Sequence, residues 1–192
     1  MEAAATFVHG LDAETLARPD TALARQCFAA IRHRVLVEAG ARGLQPRDMA
    51  ATLIGVIGSK TATVVVQIGD GAVVLDIGEG LVVPVPPMTG EYANVTCFLT
   101  DDDAMERVQT VAYDSAVLRA AAFTDGLQAL ALHLASSTPH APFFDPLFAT
   151  LSATPDERED ELQAALLAYL SSDRINERTD DDKTLVLAVA VD

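Results

Sequence analysis

Four short β-rich segments follow one another in mid-chain: Ala51 to Ile57, Thr61 to Ile68, Ala72 to Ile77 and Leu81 to Val85. Their turns are Gly58-Ser59-Lys60, Gly69-Asp70-Gly71 and Gly78-Glu79-Gly80. Short strands separated by three-residue glycine-bearing turns predict an antiparallel meander, each strand pairing with the next. The stretch from Pro84 to Thr100, with Pro84, Pro86, Pro87 and Gly90, predicts an irregular segment and is a candidate flap. Val108 to Tyr113 and Val117 to Phe123 then read as a further hairpin.

The flanks change period. Residues 1 to about 43 read as helical, a first helix over roughly Ala3 to Leu16 and a second beginning at Pro19. Leu23, Cys27, Ala30, Ile31 and Val35 share one face of the second, and Gly40 and Gly43 end it. Downstream, Gly126 to Ala135 predicts a helix with Leu127, Leu130, Ala131 and Leu134 on one side. A shorter helical segment lies near Phe143 to Leu151. Pro155 opens a last helix carrying Leu162, Ala165, Leu166, Tyr169 and Leu170, and a final strand covers Thr184 to Val191. Antiparallel strands with helices on both sides predict an α+β layered sandwich, and 192 residues without an internal repeat fit a single domain over 1–192.

Composition removes several functions. The formal net charge is −15, from 28 acidic against 13 basic residues, so the chain lacks the Lys/Arg surface that neutralises nucleic-acid phosphates. Only Cys27 and Cys97 occur, without a CxxC, which argues against a disulfide framework or a zinc site. His9, His33, His133 and His140 share no metal-binding spacing and read as surface or helix-face residues. Every apolar run is too interrupted to span a bilayer, and Met1-Glu2-Ala3-Ala4-Ala5 does not open a signal peptide. A cytoplasmic protein without nucleic-acid or membrane partners is the expectation.

Three aspartates stand at strand ends, in Gln67-Ile68-Gly69-Asp70-Gly71, Phe123-Thr124-Asp125-Gly126-Leu127 and Asp180-Asp181-Asp182-Lys183-Thr184. Each has an ordinary reading by itself. Asp70-Gly71 is the commonest hairpin signal, Asp125 suits a helix N-cap, and an acidic run is usually a solvated loop. Converging, they would repel unless a hard cation lay between them.

In order and context these motifs resemble the metal-dependent type 2C serine/threonine protein phosphatases, the PPM family. That family has a strand with a Gly-Asp turn, similar to Val66-Gln67-Ile68-Gly69-Asp70. A later strand enters Ser/Thr-Asp-Gly and a helix, like Ala122-Phe123-Thr124-Asp125-Gly126-Leu127. The last motif, Asp-Asn-x-Thr with an apolar strand, is similar to Asp181-Asp182-Lys183-Thr184-Leu185-Val186-Leu187. Gly90-Glu91-Tyr92-Ala93-Asn94 resembles a segment of a bacterial branch.

The resemblance covers about residues 3 to 191. It implies two antiparallel sheets packed face to face between helices (αββα) and hydrolysis of phosphoserine or phosphothreonine by a binuclear Mg²⁺ or Mn²⁺ centre. It gives Asp125 and Asp181 catalytic, metal-ligating roles at that centre. Asp70 would help hold a further ion with Asp125. Carboxylate oxygens suit hard cations, and the chemistry needs no Ser or Cys nucleophile.

The sequence also departs from the pattern. The family's N-terminal strands, with a phosphate-binding Arg and an Asp-Gly-x-Gly loop whose Asp bridges both ions, have no counterpart, and Asp182 stands where Asn is preferred. The expected fold is therefore N-terminally truncated. A fragment or mis-started phosphatase is the favoured explanation, beside a pseudophosphatase and a chain completed by a partner. Two functions follow: a phosphatase acting on a phosphoprotein substrate, or a non-catalytic interaction module serving a regulatory protein. A zinc hydrolase lacks its histidines here, and a nucleotide-binding domain lacks its glycine loop.

Overall fold

β-Branched and aliphatic residues dominate the central strands, and the backbone follows that preference. The computed structural model describes residues 10–87 and 96–190. The chain divides into two compact units, residues 1–71 with 87–117, and residues 72–86 with 118–192. The α+β class expected from the sequence is what the molecule shows, with one main antiparallel sheet in each unit.

In the first unit, α1 (Ala13–Ala17) starts at Asp12, whose carboxylate accepts the Thr15 N–H at 2.7 Å. Asp20 caps α2 (Thr21–Ala41) in the same way, accepting from Leu23 N at 2.8 Å. The helix ends before Gly43, whose φ of +68° suits glycine. β1 (Leu53–Gly58) pairs with β2 (Thr63–Ile68), and β2 pairs on its other side with β5 (Gln109–Tyr113).

β2 is buried along its whole length. Alternate residues Val64, Val66 and Ile68 join Ala24 and Phe28 of α2, together with Cys97, Leu99, Ala104 and Val108. The strand's period of two and the helix's i, i+4 spacing thus meet in one cluster. Arg32 fastens α2 to a loop by donating to the Asp101 carbonyl at 2.9 Å. A single helical turn, α3 (Ala104–Arg107), leads into β5.

In the second unit the sheet runs β4 (Leu81–Val82), β3 (Ala72–Asp76), β6 (Arg119–Phe123), β9 (Leu185–Val189). Small residues fill the middle of β6, Ala120-Ala121-Ala122, and Ala121 is fully buried. The apolar side of the sheet carries Ala72, Val74, Ala121, Phe123 and Leu185, clustered with three phenylalanines of α5 (Ala141–Ala153). Phe144 is fully buried, 5.0 Å edge-on from Phe143 and 5.8 Å from Phe123 between ring centres. Burying one such ring contributes roughly 1.5–3 kcal/mol. α6 (Glu159–Leu170) adds Leu170, and α7 (Asp173–Asn176) adds the buried Ile175.

Several expectations fail, each for a physical reason. The meander breaks at Gly69–Asp70–Gly71: β2 and β3 belong to different sheets, so Asp70-Gly71 is not a hairpin turn. β5 and β6 do not form a hairpin either; β5 joins β2, and β6 lies between β3 and β9. The helix expected over Gly126 to Ala135 is a 3₁₀ turn, Asp125–Leu127, and a short α4 (Gln128–Ala131). It ends where Leu132 turns extended, and a hairpin of β7 (Leu132–His133) and β8 (Thr138–Pro139) follows. Ser137, at φ +50°, makes that turn. Of the first helix expected over Ala3 to Leu16, residues 10–12 are not helical and the helix runs from Ala13, while residues before 10 and Gly90-Glu91-Tyr92-Ala93-Asn94 lie outside the described residues. Among the described residues no helix is long and apolar enough to cross a membrane.

Candidate functional site

The β6–β9 ladder ends at the pair Phe123 and Leu185, and the chain on both sides continues into the acidic motifs. Thr124 stitches the two continuations together. Its N–H donates to the Thr184 carbonyl at 3.2 Å, and its hydroxyl accepts the Thr184 N–H at 3.0 Å. The same hydroxyl donates to the Asp182 carbonyl at 3.3 Å. The position needs a hydroxyl, which both donates and accepts.

The segments that carry Asp125 and Asp181 are thereby brought into contact. Gly126 allows the approach through its size and not through its φ, which is not positive. A Cβ built on Gly126 would collide with the Asp182 carbonyl oxygen and stand 3.2 Å from the Asp181 Cβ. Both carboxylates turn back on the next amide: Asp125 Oδ1 accepts from Gly126 N at 3.0 Å, and Asp181 Oδ1 from Asp182 N at 2.8 Å. Both side chains are on the exposed rim. Lys183 braces the loop, donating to Asn176 Oδ1 at 2.9 Å and to the Asp181 carbonyl at 3.2 Å.

Asp70 lies in the first unit, on a turn shaped by its neighbours. Gly69 has φ +105°, and a Cβ there would run into Thr52. The buried Gln67 amide donates to the Gly71 carbonyl at 2.8 Å, fixing the far side of the turn. Thr96 donates its hydroxyl to Asp70 Oδ2 at 2.6 Å, a short charge-assisted bond. The structure thus joins the Asp125–Gly126 and Asp181–Asp182 segments. Among the described residues no three His, Cys, Asp or Glu side chains form a group that could hold a metal ion.

Sequence reasoning missed the roles of Thr96 and Gln67: Thr96 lies 26 residues from the Asp70 it bonds, and Gln67, though inside the Asp70 motif, shows its clamp on the Gly71 carbonyl only in the folded turn. Lys183 occupies the variable position of its motif, which gives no hint of its bracing role. The donor set at the strand ends is all oxygen, which fits a hard divalent cation and not zinc or copper. Cys27 and Cys97 are both buried, 5% and 3% exposed, and neither stands where a protein substrate could reach it. Burial also pushes the Cys27 thiol up from its ordinary value, away from the reactive thiolate.

A family model described as protein phosphatase 2C matches residues 1–171, a span that ends before Asp181. Serine/threonine-protein phosphatase 3 of Escherichia coli (strain K12) is 49% identical over 167 residues. That alignment covers 87% of this chain and 66% of the relative, so the chain spans just under two thirds of that protein's length. Among solved structures, PppA, a regulatory component of the type VI secretion system in Pseudomonas aeruginosa, matches with a TM-score of 0.58 and 16% identity. It is covered over 76% of its length by 97% of this chain. The catalytic domain of the phosphatase PstP in complex with two manganese ions matches with a TM-score of 0.57 and 15% identity, covering 97% of this chain and 77% of that one. At these identities the structural likeness bears on the fold.

Proposed function

The chain belongs to the protein phosphatase 2C family, and from that premise we propose that it hydrolyses phosphoserine and phosphothreonine in proteins with the help of Mn²⁺ or Mg²⁺. The observation that carries the reading is the junction of Asp125 and Asp181 at the β6–β9 strand ends. Two carboxylates carried on touching segments, in a chain of net charge −15, repel each other and any phosphate, and a divalent cation relieves both repulsions. When bound, the ion supplies positive charge against the transferring phosphoryl group.

This chain's own residues do the positioning. Asp125 and Asp181 would hold the ion. Thr124 keeps their two segments in register, and Lys183 ties the second segment to Asn176. Asp70, steadied by Thr96, is assigned a metal-ligating role as well. The burial of both cysteines supports a mechanism without a thiolate nucleophile. Two unpaired cysteines also accord with a reducing compartment, and we place the protein in the cytoplasm, where a phosphorylated signalling protein would be its partner.

The test is hydrolysis of a phosphothreonine peptide with and without Mn²⁺, in the protein and in Asp125→Asn and Asp181→Asn variants. Each variant is expected to lose activity by about 10²-fold or more, since the change removes a ligand outright. Undiminished turnover in Asp125→Asn would show that the carboxylate pair is not the metal site. Mn²⁺ binding without turnover in the unaltered protein would favour the non-catalytic module instead.

A further inference from the structure

We propose that His133 and His140 form a two-imidazole site for a borderline divalent cation of the Zn²⁺, Ni²⁺ and Cu²⁺ class, separate from the carboxylate pair. The two residues are seven apart and fall on different elements, yet the β7–β8 hairpin brings their rings to 5.0 Å between centres, tilted by 51°. The register explains why. His133 pairs with Thr138, so His140, two residues beyond Thr138, lies diagonally across the same face.

The spacing is that of a shared ligand. Metal–imidazole bonds of about 2.0–2.1 Å at a tetrahedral ion put two ring centres roughly 5 Å apart. His140 is also pre-oriented. Its Nδ1 lies 3.0 Å from the Leu130 carbonyl, which can only accept, so the proton is on Nδ1 and the Nε2 lone pair points away. Its backbone is held too, the N–H donating to the Ala131 carbonyl at 2.8 Å. His133 is exposed and open to ions from solvent.

Two hydroxyls lie on the same hairpin. Ser136 and Thr138 share a hydrogen bond of 2.8 Å, and Ser136 also donates to the His133 carbonyl at 3.3 Å. Two imidazole ligands select borderline ions over Mg²⁺ or Mn²⁺, the reverse of the Asp125–Asp181 preference. With two protein ligands the remaining positions go to water, which makes this an open binding site and not a structural one. The N-terminus of α5 begins at His140 and weakens cation binding by about two- to fivefold, which keeps the site reversible.

Calorimetric titration of Ni²⁺ into the full chain in excess Mg²⁺ tests this. One equivalent is expected to bind, at least about tenfold more weakly in His133→Ala and His140→Gln, and unchanged in Asp125→Asn. His133→Ala alters an exposed side chain, so its fold is expected to survive. Absence of Ni²⁺ binding, equal binding by the His133→Ala/His140→Gln double variant, or loss of it in Asp125→Asn would each overturn the proposal. None of these outcomes depends on phosphatase activity.

Discussion

Replacing Gly126 by Ala tests the junction at the heart of the site. The added Cβ would be 3.2 Å from the Asp181 Cβ and in collision with the Asp182 carbonyl. Carbon atoms settle about 3.5–4.0 Å apart, so the Asp181–Asp182 segment must retreat by roughly 0.5–1 Å. The Thr124 bonds to Asp182 and Thr184, already 3.3 and 3.0 Å long, would then approach or pass the limit of a useful hydrogen bond.

Overpacking of this kind costs about 1–3 kcal/mol, and each weakened bond adds up to about 1 kcal/mol. The smaller entropy of an unfolded chain carrying Ala offsets about 0.4–1 kcal/mol. The net loss expected is about 1–3 kcal/mol in urea unfolding followed by circular dichroism, since the chain has no Trp to report. Mn²⁺ affinity, read from the free-ion electron paramagnetic resonance signal, should fall by about 10- to 100-fold with the separation of the carboxylates. Gly40→Ala is the matched control, with nothing within 4 Å of its new Cβ. A Gly126→Ala protein with stability within about 0.5 kcal/mol of the parent and the same Mn²⁺ affinity would refute the close approach.

Two other outcomes follow from the geometry. Arg119→Met strands the Asp76 carboxylate, whose side chain is 9% exposed and which Arg119 holds through two hydrogen bonds of 2.5 and 2.9 Å. The Gly78 N–H still reaches Asp76, so the expected loss lies at the lower end for a broken buried pair, about 3 kcal/mol at neutral pH. Burial pushes the Asp76 carboxyl up, but the Gly78 amide and Arg119 outweigh it and hold the group below its ordinary 3.8. Its contribution is therefore complete above that value and lost as pH falls through the lower folded one, so the parent–variant gap should narrow below about pH 4 in denaturant titrations. A gap independent of pH would show that the pair is not its source. Thr96→Val is expected to weaken Mn²⁺ binding by about tenfold while Thr96→Ser restores it; equal behaviour of Val and Ser would remove Thr96 from the site.

Strands and motifs are readable where local chemistry decides, and pairings are not. Thr63-Val64-Val65-Val66 announces a buried strand by its side chains alone. Nothing within it says that Gln109–Tyr113 will lie beside it, because that contact depends on chain closure across many residues. Asp70-Gly71 shows the same limit. The dipeptide is compatible with a hairpin, and only the packing of Thr52 against Gly69 and the Gln67 clamp reveal a turn leaving its sheet. The helical spacing of Leu127, Leu130 and Leu134 is real, yet Leu132 turns extended and the helix stops at Ala131. The nearness of Asp125 and Asp181 follows from family resemblance, whereas its cause, a glycine too small to push the neighbouring loop away, needs coordinates. His133 and His140 escape spacing rules that assume a helix or a finger loop, and a hairpin defeats both.

Arg119 and Phe123 are the two ends of one five-residue strand, and the Asp76 ion pair faces the first while Ala72 faces the second. The salt bridge therefore works as a ruler as well as a clamp. It sets where along its neighbours the alanine strand comes to rest, and hence how far Asp125 projects past the sheet's rim. A shift by one residue would displace that carboxylate by about 3.3 Å and turn each side chain of the strand to the opposite face. An ion pair at the far end of β6 thus bears on where Asp125 stands.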